Sequence, residues 1–284
     1  MGNPDFDFDL KSFPERRVTQ VPNSNEEARG EPTTPVSRPS ENGLAVTRSL
    51  SRDYRGLKFP PLPGAEAEAR CVAKLLGDGG VLRLGVEARE AELKSVQSPR
   101  VLDLATHGFF LSDQEFSHTN ASSADLLAAR GARQLIPTTN TDLENPLVRC
   151  GIALAGANHA RQITNAGAED GLLTGLEASL LNLQGTELVI LSACDSGAGE
   201  VKIGEGVMSL GLAFRIAGAE TVLASHWKVS DKATSLLMTE FMRRWRAGES
   251  RAKAWHEAQL TLLRSKDFSD PFFWSAFTLT GQWR

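Results

Sequence analysis

Cysteine is scarce in this 284-residue chain. Cys71, Cys150 and Cys194 are the only three, an odd number without a CxxC pair. That count argues against a disulfide framework or a zinc site and for a reducing, cytoplasmic setting. Basic excess is missing too: the formal net charge is −4 and the pI about 5.8, so nucleic acid is not an expected partner. The apolar runs, such as Leu188 to Leu191, fall far short of the roughly 20 residues of a membrane helix, and no membrane partner is expected. The opening MGNPDFDFDL carries no charged-then-apolar signal, and Phe6 stands where a myristoylation pattern wants Ser or Thr. Nucleotide-binding loops are absent. No GxGxxG occurs, and the near P-loop at Gly199 and Gly204 has Glu205 where the phosphate needs Lys. There is no GxSxG elbow for a serine esterase. His107, His118, His159, His226 and His256 are scattered without ligand spacing, so neither a metal nor another cofactor is expected.

Residues 1–55 stand apart in composition. They hold 6 of the 13 prolines and mixed charge, with few apolar residues to offset the entropy of ordering. They read as a disordered polar leader or linker, in which Phe6, Phe8, Leu10 and Phe13 make either a short docking motif or part of a solvated tail. Beyond it the folded domain runs over 56–284. Pro63-Gly64 opens a helix that Gly77 to Gly80 ends. Val81–Leu84 reads as a strand, AREAELKSV as a helix, and RVLDLAT as a strand entering His107-Gly108. The polar stretch 112–145 reads as an insertion, with a short helix possible at ADLLAAR. CGIALAG is a strand and LTGLEASLLNL a helix, while ELVILSA is apolar enough for a strand buried on both faces. A helix near 205–217, the strand TVLAS, helices near 231–246 and 250–265, and an aromatic strand FFWSAFTLTG complete the chain. Alternating strands and helices imply an α/β sandwich with a mostly parallel central sheet covered by helices on both faces.

In such sheets, ligands and catalysis collect at the carboxyl ends of the strands. VLDLATHGFF delivers His107 there, and LVILSACDSGAG delivers Cys194. A thiolate is the attacking form of cysteine; a neighbouring imidazole lowers the thiol pKa and later protonates the leaving amine. The backbone N–H groups of Gly108 and Cys194 would face a developing oxyanion, where a side chain at 108 would crowd the carbonyl. Each residue also has a plainer reading: a strand-end cysteine as a small core residue, a His-Gly pair as a turn.

The wording of these segments narrows the choice. LPGAEAEA at 62–69, ATHG at 105–108, NPL at 145–147, SACDSGAG, GEG, AGAETVLASHWKVSD at 217–231 and the terminal DPFFWSAFTLTG resemble the CHAT-domain peptidases of the caspase-like clan. The likeness covers about Pro61 to Arg284. It implies a caspase-like fold, a cysteine endopeptidase with His107 and Cys194 as its dyad, and the amides of Gly108 and Cys194 as oxyanion donors. It further implies a protein or peptide substrate, no cofactor, and the prospect of an activating partner or self-cleavage. Three features depart from the family pattern: the insertion after ATHG, His226 where Leu is usual, and the lack of helical repeats ahead of the domain. Asp195, beside the nucleophile, would favour a basic residue before the scissile bond if it lines the first pocket, or simply face the next helix. The competing reading is a caspase-like adaptor or signalling module without proteolysis. An exposed patch around Trp245 and Trp255 would favour that alternative, although Trp on amphipathic helices is usually core.

Overall fold

The computed structural model describes residues 1–10, 54, 57–77, 79–111, 145–162, 169–193, 205–227 and 230–284. Nine strands run β1 Gly2–Pro4, β2 Leu84–Gly85, β3 Val101–Ala105, β4 Gly108–Phe110, β5 Cys150–Ala153, β6 Leu172–Thr174, β7 Leu188–Ser192, β8 Thr221–Ser225 and β9 Phe277–Gly281 among these residues. Helices are α1 Pro63–Leu76, α2 Glu90–Lys94, α3 Gly175–Ala178, α4 Glu205–Ile216, α5 Asp231–Arg246, α6 Arg251–Leu263 and α7 Pro271–Trp274. The main sheet has the order β2-β1-β3-β7-β8-β9 and is parallel except for its antiparallel edge strand β9. A second, antiparallel sheet β4-β5-β6 leaves the end of β3. This is the mixed α/β, mostly parallel architecture that the strand–helix alternation implies.

β7 shows why the alternation is so readable. Leu188 and Ile190 enter a core with Val72 of α1, Leu237, Met238 and Phe241 of α5, and Trp255 of α6. Val189 and Leu191 face the other way, into a core with Ile152, Leu173, Leu210 and Phe214. A central strand between two helical layers has no polar face, so its sequence is one apolar run. Trp255 is buried in the core under α5 and α6, and half-buried Trp245 packs against that core, stacked on Phe241.

Four expectations need correction. First, the leader is not a solvated tail at either end that the structure describes. β1 lies inside the main sheet between β2 and β3, and Phe6 and Tyr54 are buried, Tyr54 edge-on to Phe109. Gly2 makes this insertion possible, because a Cβ there would sit 2.6 Å from that of Ala69 on α1. Averaging composition over 55 residues hid this short anchor; residues 11–53 lie outside the described ones. Second, the first part of LTGLEASLLNL is strand β6, followed by a single helical turn. Thr174 starts that turn through a capping box with Glu177. Third, the aromatic segment at the end divides: Asp270 caps the short helix α7, and only Phe277–Gly281 is strand. Fourth, the strand at Val81–Leu84 is displaced to Leu84–Gly85. The insertion at 112–145 and its possible helix lie outside the described residues except at Asn145, whose side chain caps the turn Pro146–Val148.

Candidate active site at the β3 and β7 strand ends

The site is set by register. β3 and β7 pair in parallel from Val101↔Leu188 to Ala105↔Ser192. His107 stands two residues beyond Ala105, and Cys194 two beyond Ser192. Hence the pairing aligns the two chain exits that lead to His107 and Cys194. Gly108 is packed against the backbone of this exit: a Cβ at 108 would lie 2.8 Å from the Ala193 carbonyl oxygen. Real side chains do not approach that closely, so only glycine permits the contact. Cys194 and Asp195 themselves lie outside the described residues.

His107 is 6% exposed. Its Nε2 is 2.8 Å from the Pro60 carbonyl oxygen. A carbonyl only accepts, so neutral His107 carries its proton on Nε2 and Nδ1 is the basic nitrogen. Phe6 and Phe59 flank the imidazole, with ring centroids 5.2 and 5.8 Å away. Ala153 N–H donates to the His107 carbonyl at 2.9 Å, tying the turn between β3 and β4 to β5. Under β7, the Ser192 hydroxyl donates to the carboxylate of buried Glu68 on α1. The strand end is thereby anchored two residues before Cys194.

The other two thiols occupy different surroundings. Cys150 is buried on β5, and desolvation pushes its thiol up to about 12, so it remains protonated at neutral pH. Cys71, on α1, has its Sγ 3.1 Å from Thr239 Oγ1 of α5. His226 is a structural residue at the β8–β9 edge, its Nε2 2.6 Å from Thr278 Oγ1 and its N–H bonded to the Ala276 carbonyl. Phe6, Phe59, Pro60 and Glu68 all bear on the site although their positions in the sequence give no chemical signal. Glu68 falls within the LPGAEAEA block, Pro60 lies just ahead of it, and Phe6 belongs to the Phe6–Phe13 pattern, but none of these marks a part in the site. Among the described residues, no group of His, Cys, Asp or Glu is arranged to hold a metal ion, and no helix is long and apolar enough to cross a membrane.

Comparison with known proteins gives one family and one kind of relative. The family model described as the CHAT domain matches residues 7–282. Tetratricopeptide repeat protein 28 of Mus musculus is 28% identical over 225 residues, 78% of this chain and 9% of its own length. Its Homo sapiens counterpart is 26% identical over 278 residues, 96% of this chain and 11% of its own. The chain therefore spans at most 11% of these curated relatives.

Proposed function

The chain belongs to the CHAT-domain family, a caspase-like domain related to peptidases, and from that premise we propose that it is a cysteine endopeptidase acting on protein or peptide substrates. One observation carries this reading. The Pro60 carbonyl holds the His107 proton on Nε2, leaving Nδ1 as base at the strand end in register with the exit to Cys194. In the proposed cycle, Nδ1 takes the Cys194 thiol proton as sulfur bonds to the scissile carbonyl carbon. The amides of Gly108 and Cys194 donate to the oxyanion. Collapse breaks the C–N bond, and His107 returns the proton to the departing amine. Water then attacks the thioester, giving its proton to His107; the C–S bond breaks, the acid leaves and the thiol is restored. None of these steps requires a cofactor, and a reducing, cytoplasmic setting suits a free thiol.

Asp195 is proposed to line the first substrate pocket and favour Arg or Lys before the scissile bond. Substrate capture or activation by a separate protein fits the small share of the curated relatives that this domain represents, and their name refers to a repeat outside the matched family. The same fact supports the second reading, an adaptor module without proteolysis.

A peptide library incubated with wild type and Cys194→Ala separates the two. Cleavage by wild type alone, reduced about 10³-fold or more in the variant, supports the peptidase. A preference for apolar residues before the cut would remove the role given to Asp195. Absence of cleavage, with no labelling of Cys194 by a thiol-reactive peptide, would leave the adaptor.

A further inference from the structure

His107 owes its geometry to a carbonyl, and that carbonyl is itself held. Asn158, in the turn Ala157–Gln162 after β5, receives the Phe59 N–H on its side-chain oxygen at 2.9 Å. Its Nδ2 donates to the Phe59 carbonyl at 3.1 Å and to Asp7 Oδ1 at 2.8 Å. Its backbone N–H donates to the Phe6 carbonyl at 3.0 Å. A flipped amide would turn all three side-chain bonds repulsive, so the orientation is fixed by the partners.

These bonds secure both peptide planes of Phe59. The ring of Pro60 then fixes its φ near −65°, and Pro61 confines the ψ of Pro60 to the extended range. Little freedom remains in the direction of the Pro60 carbonyl, which meets His107 Nε2. The first segment is held to the same turn: Gly156 N–H donates to Asp5 O at 2.9 Å, and His159 Nε2 lies 3.0 Å from Asp7 O. Phe6 and Phe59, the two rings beside the imidazole, thus lie on the two segments that Asn158 joins.

We infer that Asn158 is a positioning residue for His107: by joining the Asp7 and Phe59 segments it aims the Pro60 carbonyl at Nε2 and keeps the imidazole in its base-ready tautomer. Asn158 acts only through Phe59 and Pro60. The catalytic part of this inference rests on the peptidase reading; the tautomer part does not.

The test uses the full chain labelled with ¹⁵N-histidine, with His107→Gln identifying the His107 Nε2–H resonance. In Asn158→Ala the resonance is expected to broaden or disappear as the proton exchanges with water. Turnover would fall about tenfold with KM within twofold. Asn158→Asp keeps the shape and the acceptor for Phe59 N–H but faces two oxygens; it should behave like the alanine variant while remaining folded. Adding Asp7→Asn to it restores a donor opposite the new carboxylate and should return part of the signal. An unchanged resonance in either folded single variant overturns the inference, as does equal loss in a variant with Asp7→Asn alone and no gain in the double. Should wild type cleave nothing while its resonance still responds to position 158, the peptidase reading falls and the positioning role stands.

Discussion

The two ends of the β3–β7 strand pair are closed by opposite means. At the amino end long charged side chains do the work: Arg100 pairs with Glu187 at 2.9 Å in solvent, while buried Arg251 donates to the Glu187 carbonyl and to Glu220 at 2.9 Å. At the carboxyl end backbone atoms take part in two of three short contacts, the Gly108 backbone against the Ala193 carbonyl and the Pro60 carbonyl against His107, while Ser192 donates to Glu68. Long side chains can shift to absorb a change, whereas backbone groups in van der Waals contact move only with their strands. The end with least tolerance is therefore the one suited to hold reacting groups in place.

Substitutions can break this contrast, beginning with its tightest contact. If the proposed peptidase reading holds, Gly108→Val should reduce cleavage at least about 100-fold, since its Cβ must displace the Ala193 carbonyl one residue before Cys194. Urea denaturation should show a loss of about 1–3 kcal/mol from overpacking. Near-normal cleavage by this variant would mean that the two strand ends do not meet as described. Next in size is Arg251→Ala, which strands the Glu187 carbonyl and the Glu220 carboxylate; a loss of about 2–3 kcal/mol in the same assay is expected, with cleavage per folded molecule unchanged.

Cys150, buried on β5, gives this region a pH-dependent stability. Its folded-state pKa is raised from 9.0 to about 12, so the unfolded chain loses this proton first. The stability that the protonated thiol contributes is fully present below about pH 9 and is lost as pH rises toward 12, with a slope of up to about 1.4 kcal/mol per unit. Denaturation curves at pH 9 and 10.5 should converge more closely in Cys150→Ala than in wild type. An equal pH slope in both proteins would place that titration elsewhere. Smallest of all is Arg100→Ala: its ion pair is solvent-exposed, and thermal melts should register a change within about 0.5 kcal/mol.

Legibility followed the same division. The helix α1 and strands β3, β7 and β8 were readable because each has a periodic or continuous apolar pattern between turn residues. Helix α3 was overestimated, since an apolar stretch of that length serves strand or helix equally and the capping box at Thr174 decided where the turn began. β1 was missed because three residues in a polar stretch carry no period; Gly2 under Ala69 and Phe6 beside His107 are contacts between segments far apart in the chain.

For the site, local sequence was enough to nominate His107, Gly108 and Cys194, because strand-end chemistry needs reactive and small residues side by side. It offered nothing to mark Asn158 and only the nearby LPGA block to mark Pro60, because the parts of both in the site depend on which atoms face them. The alternation of apolar strands and amphipathic helices, and with it a mostly parallel sheet between two layers, is written in local sequence. Which strand ends lie together and which nitrogen of His107 holds the proton follow from contacts across the fold. Periodicity is a property of neighbours along the chain, while register and hydrogen-bond direction are set between segments far apart in it, such as Asp7 and Asn158, 151 residues apart.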